Sequence, residues 1–162
     1  MNREWLGPAV LIAACLLVQL AGGLATEPAI SSGWYRGLLK PSWTPPDSIF
    51  GPVWTALYLM MATAACLVWN ERRHKPVGVA LGVFSWQLLL NLAWSLLFFG
   101  SRLPLAGLAN ILLLLAAIGV TTVLFFRVRF VAGLLMVPYF LWTAYAAALN
   151  WAIVGLNPQP VT

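Results

Sequence analysis

Charge is what this sequence has least of. Only 8% of its 162 residues are Asp, Glu, Lys or Arg, against about 25% in an average soluble domain. With 62% hydrophobic residues and a mean hydropathy of +0.88, so few charges cannot cover a water-facing surface, and the composition is that of an integral membrane protein. Histidine occurs once, as His74 in the polar stretch Glu71-Arg72-Arg73-His74-Lys75, and the two cysteines, Cys15 and Cys66, lie inside apolar runs. None has a partner at ligand spacing, which excludes a disulfide framework and a metal site. No Ser/His/Asp set, acid–base pair or phosphate-cradling glycine loop is present, so hydrolytic and phosphoryl-transfer chemistry lacks its parts. The net charge of +5 comes from short basic clusters between apolar runs. Membrane proteins keep their topology charges there, and a nucleic-acid surface is not the reading.

What is abundant is apolar sequence, in five stretches at Leu6–Leu24, Pro52–Asn70, Val77–Phe99, Leu103–Phe126 and Phe130–Val154. A helix needs about 20 residues to cross the hydrocarbon, so the fold expected is all-α, a single bundle of five transmembrane helices over 1–162. The first stretch is long for a signal h-region and is read as a helix. Arg3, Arg72, Arg73, Lys75, Arg127 and Arg129 fall on the side of the N-terminus, and Arg36, Lys40 and Arg102 on the other. The positive-inside rule then places the N-terminus in the cytoplasm and the C-terminus outside. All charges fall outside these stretches, so ion coupling through titrating groups within the membrane is disfavoured.

Residues 25–51 separate the first two spans and contain Gly33-Trp34-Tyr35 and Lys40-Pro41-Ser42-Trp43-Thr44-Pro45-Pro46. Aromatics with φ-locking prolines describe a structured cap on the bundle. In the third span Gly78, Gly82 and Ser85 share one arc at 100° per residue, a small-xxx-small face suited to close packing or dimerisation. Gln87, Asn91 and Trp94 share the opposite arc, which lipid would not tolerate unpartnered. For the two amides, interhelical hydrogen bonding and ligand contact are both open. Trp54 in the second span and Trp142 in the fifth add indoles within the membrane, and Trp5, Trp69 and Trp151 stand near span ends as interface anchors. A pocket of indoles and amides suits a flat, largely apolar ligand better than a sugar, nucleotide or ion.

The segments Trp34-Tyr35, Lys40 to Pro46, Trp54-Thr55-Ala56-Leu57-Tyr58, Asn91-Leu92-Ala93-Trp94-Ser95, Pro138-Tyr139-Phe140-Leu141-Trp142 and Leu149-Asn150 make the chain resemble the tryptophan-rich sensory protein family. That family includes the mitochondrial translocator protein, once called the peripheral benzodiazepine receptor. The resemblance spans essentially the whole chain. It implies a five-helix bundle, often a homodimer, in a bacterial membrane, acting as a receptor or sensor of tetrapyrroles. Its ligands would be protoporphyrin IX or haem, and synthetic isoquinoline carboxamides, with no obligatory cofactor. Carried over by position, the ligand-binding residues are Tyr35, Trp43, Trp54, Asn91, Trp94, Trp142 and Ala146. Two other activities are implied for the family: light-dependent porphyrin degradation, with Trp54 and Trp142 as the catalytic candidates, and transport of a porphyrin or lipid-like molecule. The family's sterol pattern ends in a basic residue, and Leu149 to Gly155 contains none, so cholesterol binding is expected to be weak or absent.

Overall fold

The computed structural model describes residues 5–158. Five long helices dominate it: α1 (Leu6–Ser31), α3 (Asp47–Asn70), α4 (Gly78–Ser95), α5 (Pro104–Val128) and α6 (Phe130–Leu156), with a one-turn helix α2 (Trp34–Gly37) in the first connection. All five long segments, α4 together with the turn that follows it, are long and apolar enough to span a bilayer. The chain is therefore an all-α, multi-pass membrane bundle, in which each span meets its backbone hydrogen bonds internally.

Two boundaries differ from the sequence reading, and for one physical reason. The first helix runs past Leu24 to Ser31, and the second begins at Asp47, before Pro52. Glu27 and Pro28 look like terminators, but α1's last turns need not be apolar: the 26-residue helix is about 39 Å long and overruns a hydrocarbon core of about 30 Å. It stops where Gly33 adopts φ +78°, a left-handed turn that costs glycine little. At the other end, Asp47 stands in the first turn of α3 after Pro46, where a carboxylate complements the helix dipole. The irregular connection thus shrinks from the expected 25–51 to 32–46. The expectation that every charge lies outside the spanning helices is corrected accordingly: Glu27 belongs to α1, Asp47 to α3 and Arg127 to α5.

The centre of the bundle is formed by α3 to α6, with Phe84, Phe125, Tyr139 and Met136 fully buried. Between α5 and α6 there is almost no connector, and these two helices pair most extensively. A Cβ built on Gly133 would lie 2.2 Å from the Cγ of Phe126, so only glycine permits this approach. Gly133→Val is expected to destabilise the bundle by about 1–3 kcal/mol through overpacking, read as a lowered midpoint in detergent unfolding. Gly155→Val, exposed on α6 where a Cβ meets nothing within 4 Å, serves as the matched control and should leave the midpoint in place.

Helix α1 is attached more lightly. Its buried residues are Cys15, Gly22 and Ala29, one small side chain every seventh position. It is anchored at the basic end, where the Trp69 indole occupies the space beside Gly7 (2.0 Å from a built Cβ). Trp69 is thus more than an interface anchor. Arg72 lies 4.8 Å over its ring, while Trp5 and Trp151 are exposed as anchors would be. The same end holds the Arg129–Glu71 ion pair at 3.2 Å and a Lys75 Nζ hydrogen bond to the Val128 carbonyl. Arg3, counted above among the basic residues of this side, lies outside the described residues.

The first connection lies on the opposite end of the bundle as a cap. Trp34 and Tyr35 are buried, with ring centroids 6.0 Å and 6.4 Å from Phe98. The cap is fastened to α6 by two Leu39–Asn157 hydrogen bonds (3.1 and 2.9 Å) and by the Tyr145 hydroxyl, which donates to the Trp43 carbonyl at 2.8 Å. Lys40 donates to the Tyr35 carbonyl at 2.5 Å, and Arg102 to the Ser32 hydroxyl at 3.2 Å.

A candidate ligand pocket beneath the cap

Under α2 the bundle encloses a cavity of about 460 Å³ bounded by α1, α3, α4 and α6. Its aromatic wall is built around Trp54. The Trp54 ring lies 6.4 Å from Trp94, 6.0 Å from Tyr58 and 6.2 Å from Tyr139. Trp94 in turn stacks on Phe98 at 5.6 Å and 28°. After Ser95 the helix widens into a π-turn, Leu96–Gly100, closed by a Ser101 N–H to Leu96 carbonyl bond of 2.7 Å. On a regular helix neighbouring residues point about 100° apart, yet here the consecutive residues Phe98 and Phe99 both line the cavity. π-turns of this kind recur at functional sites.

The floor is polar and internally satisfied. The Tyr58 hydroxyl donates to Asn91 Oδ1 at 2.6 Å, Asn91 Nδ2 donates to the Tyr139 hydroxyl at 2.8 Å, and that hydroxyl donates to Gln87 Oε1 at 2.9 Å. Trp94 Nε1 donates to Asn150 Oδ1 at 3.2 Å, and Asn150 Nδ2 to the Pro104 carbonyl at 2.9 Å. These bonds join α3, α4, α5 and α6. Interhelical bonding thus accounts for Gln87, whereas Asn91 both bonds and lines the cavity. Because its amide is already engaged, the floor offers a ligand mainly π faces and apolar surface. At the upper edge, burial and then the Asp47 carboxylate push the Tyr35 hydroxyl up to about 12, so this group stays a neutral donor across physiological pH. Burial also lowers the Lys40 ammonium, with Asp47 opposing the shift.

Of the seven residues expected to bind ligand, Tyr35, Trp54, Asn91, Trp94 and Ala146 line the cavity. Trp43 and Trp142 are not part of that lining. Trp43 is 46% exposed on the cap, edge-on to Tyr145 at 5.6 Å. Trp142 shares a face of α6 with Ala146 but packs on Phe50 at 6.0 Å and Tyr145 at 5.6 Å, and it is Phe50 that lines the cavity. Gly78, Gly82 and Ser85 lie on the exposed outer face of α4, away from the cavity. Sequence reasoning missed Phe98 and Phe99, Asn150, and a stripe on α1 that includes Gln19, Thr26 and Glu27. The α1 stripe did carry a signal, polar residues at helical spacing, but ending the span at Leu24 concealed it. Among the described residues no group of three or more His, Cys, Asp or Glu side chains gathers to hold a metal ion.

Sequence comparison decides the kinship of this chain. The chain matches the TspO/MBR family over residues 11–156, a stretch that takes in the cap, four whole spans and all but the first five residues of α1. It belongs to the TspO/MBR family. The Tryptophan-rich protein TspO of Chlorobaculum tepidum is 46% identical over 159 residues, covering 98% of this chain and 100% of the relative. The Translocator protein of Homo sapiens is 42% identical over 123 residues, 74% of this chain and 72% of the relative. The Tryptophan-rich sensory protein of Cereibacter sphaeroides is 34% identical over 157 residues, 97% and 95%. Within the TspO/MBR family, then, this chain is a multi-pass membrane protein.

Proposed function

We propose that the chain is a bacterial membrane receptor or sensor that binds tetrapyrroles, protoporphyrin IX or haem, in the cavity beneath the cap. The observation that carries this reading is the Trp54–Trp94 pair, tilted by 34° and continued by Trp94 onto Phe98 and Phe99. Indole and phenyl faces arranged in this way stack on a flat conjugated ring, and offset ring contacts contribute about 0.5–1.5 kcal/mol each beyond burial. Isoquinoline carboxamides offer the same flat apolar surface. The floor already meets its own hydrogen bonds, so ring contact and desolvation supply most of the affinity. No obligatory cofactor is part of this reading. The N-terminus lies in the cytoplasm, since Arg72, Arg73, Lys75, Arg127 and Arg129 share its end of the bundle. A homodimer would form across the Gly78, Gly82 and Ser85 face, where a Cβ built at either glycine meets nothing within 4 Å. Without a basic residue after Trp151, sterol affinity is low.

The test is a titration of the chain in lipid nanodiscs with protoporphyrin IX in the dark, following tryptophan emission. Saturable quenching, reversed by excess isoquinoline carboxamide, is expected. Quenching that rises without saturation and ignores the competitor would overturn the reading.

A further inference from the structure

The cavity wall is exposed on one side only. The lining residues of α4, its π-turn and α6 are buried or half-buried, whereas Gly23, Glu27 and Ser31 of α1 and Asp47, Gly51 and Thr55 of α3 are exposed. The mouth therefore opens through the seam between α1 and α3. At the basic end that seam is shut by Trp69 against Gly7 and by Cys66 Sγ, 3.8 Å from the Pro8 carbonyl. In the cavity-bearing half, among the described residues, one side-chain hydrogen bond crosses it, Gln19 Nε2 to Thr55 Oγ1 at 3.0 Å. Beyond that bond lie Gly23 and Gly51, where a built Cβ touches nothing within 4 Å. The cap is the better fastened barrier. Lifting it would break the two Leu39–Asn157 bonds, the Tyr145–Trp43 bond and the Arg102–Ser32 bond, and would pull Trp34 and Tyr35 off the Phe98 ring.

We propose that ligands pass into and out of the cavity sideways from the bilayer, through the α1–α3 seam, with Gln19–Thr55 as its latch and Gly23 and Gly51 as its sill. Gln19 sits about 20 Å along α1 at 1.5 Å per residue, near the bilayer midplane, and Glu27 and Asp47 stand at the headgroup end. The doorway thus spans one leaflet, apolar and glycine-floored at depth and acidic at its rim. The solute it admits is a membrane-dissolved flat amphiphile that enters apolar body first, past the glycines, with its polar edge trailing at the headgroup end. This route follows from the shape of the cavity alone and holds whichever flat ligand is bound.

The test reads access without any ligand. Ala146, buried in the cavity wall, is replaced by cysteine in a Cys15→Ala, Cys66→Ala background, and its reaction with the uncharged reagent N-ethylmaleimide is timed in nanodiscs. Gly23→Leu with Gly51→Leu should slow labelling about tenfold, as blocking an access path does. Thr55→Val, which releases the latch, should speed it severalfold. Asn157→Ala, which loosens the cap, should leave it unchanged. A misfolded variant would label faster, so slowing by the leucines cannot arise from unfolding. Faster labelling in Asn157→Ala, with Thr55→Val like the parent, would place the route under the cap and overturn the proposal.

Discussion

Tyr139→Phe is expected to cost the bundle about 2–4 kcal/mol, read from the midpoint of unfolding in mixed detergent. The hydroxyl accepts from Asn91 and donates to Gln87, and Tyr139, Asn91 and Gln87 are 0%, 2% and 0% exposed. Removing it leaves an amide N–H and an amide carbonyl without partners, and each orphan costs about 1–3 kcal/mol. An average interhelical hydrogen bond in a membrane protein contributes only about 0.6 kcal/mol, because the separated helices find other partners. The larger value wins here because the variant strands two groups at once in a packed interior, which is worse than losing one bond. Tyr58→Phe strands a single Asn91 oxygen and should cost about half as much. Replacing the whole set with apolar residues of similar shape should be close to neutral. Equal losses for Tyr58→Phe and Tyr139→Phe would show that the number of stranded groups does not set the cost.

The second large effect concerns binding. Trp54→Leu should weaken protoporphyrin IX about 30–100-fold, since a central aromatic contact is worth about 2 kcal/mol or somewhat more and each 1.4 kcal/mol is about tenfold. Trp142→Leu should weaken it less than about threefold, and Trp43→Leu should leave it nearly unchanged, because neither ring lines the cavity. Trp54 is a cleaner probe of the aromatic wall than Trp94: it is half-buried, whereas Trp94 also holds the fold through Asn150. Competition against a fixed isoquinoline carboxamide measures all three without relying on the remaining indoles. A Trp142→Leu loss as large as that of Trp54→Leu would move the site towards the lower end of α6.

How far the sequence foretold this site varies from helix to helix. Gln87, Asn91 and Trp94 were legible because two amides and an indole at helical spacing have only one tolerable place in a membrane, and the structure puts them there. Trp142 falls outside the cavity lining because spacing reports the face of a helix and says nothing of depth: it shares the face of Ala146, but Phe50 lies against it. Glu27 and Asp47 were hidden by a criterion that ended spans at the first charge, although a helix longer than the hydrocarbon carries polar turns into the headgroup layer. Phe98 and Phe99 could not have been found at all from periodicity, since nothing in Leu96-Leu97-Phe98-Phe99 marks where the hydrogen-bond step lengthens. The five spans themselves needed only length and apolarity.

That lengthened step at Leu96–Gly100 amounts to one residue more than a regular helix would hold in the same rise. The far aromatic wall of the cavity therefore depends on chain length as much as on residue type. A one-residue deletion in that turn would keep both phenylalanines, the hydropathy of the span and every other motif, yet would swing one ring of the pair out to lipid. Two chains alike in every tryptophan can thus differ in the shape of the space those tryptophans enclose.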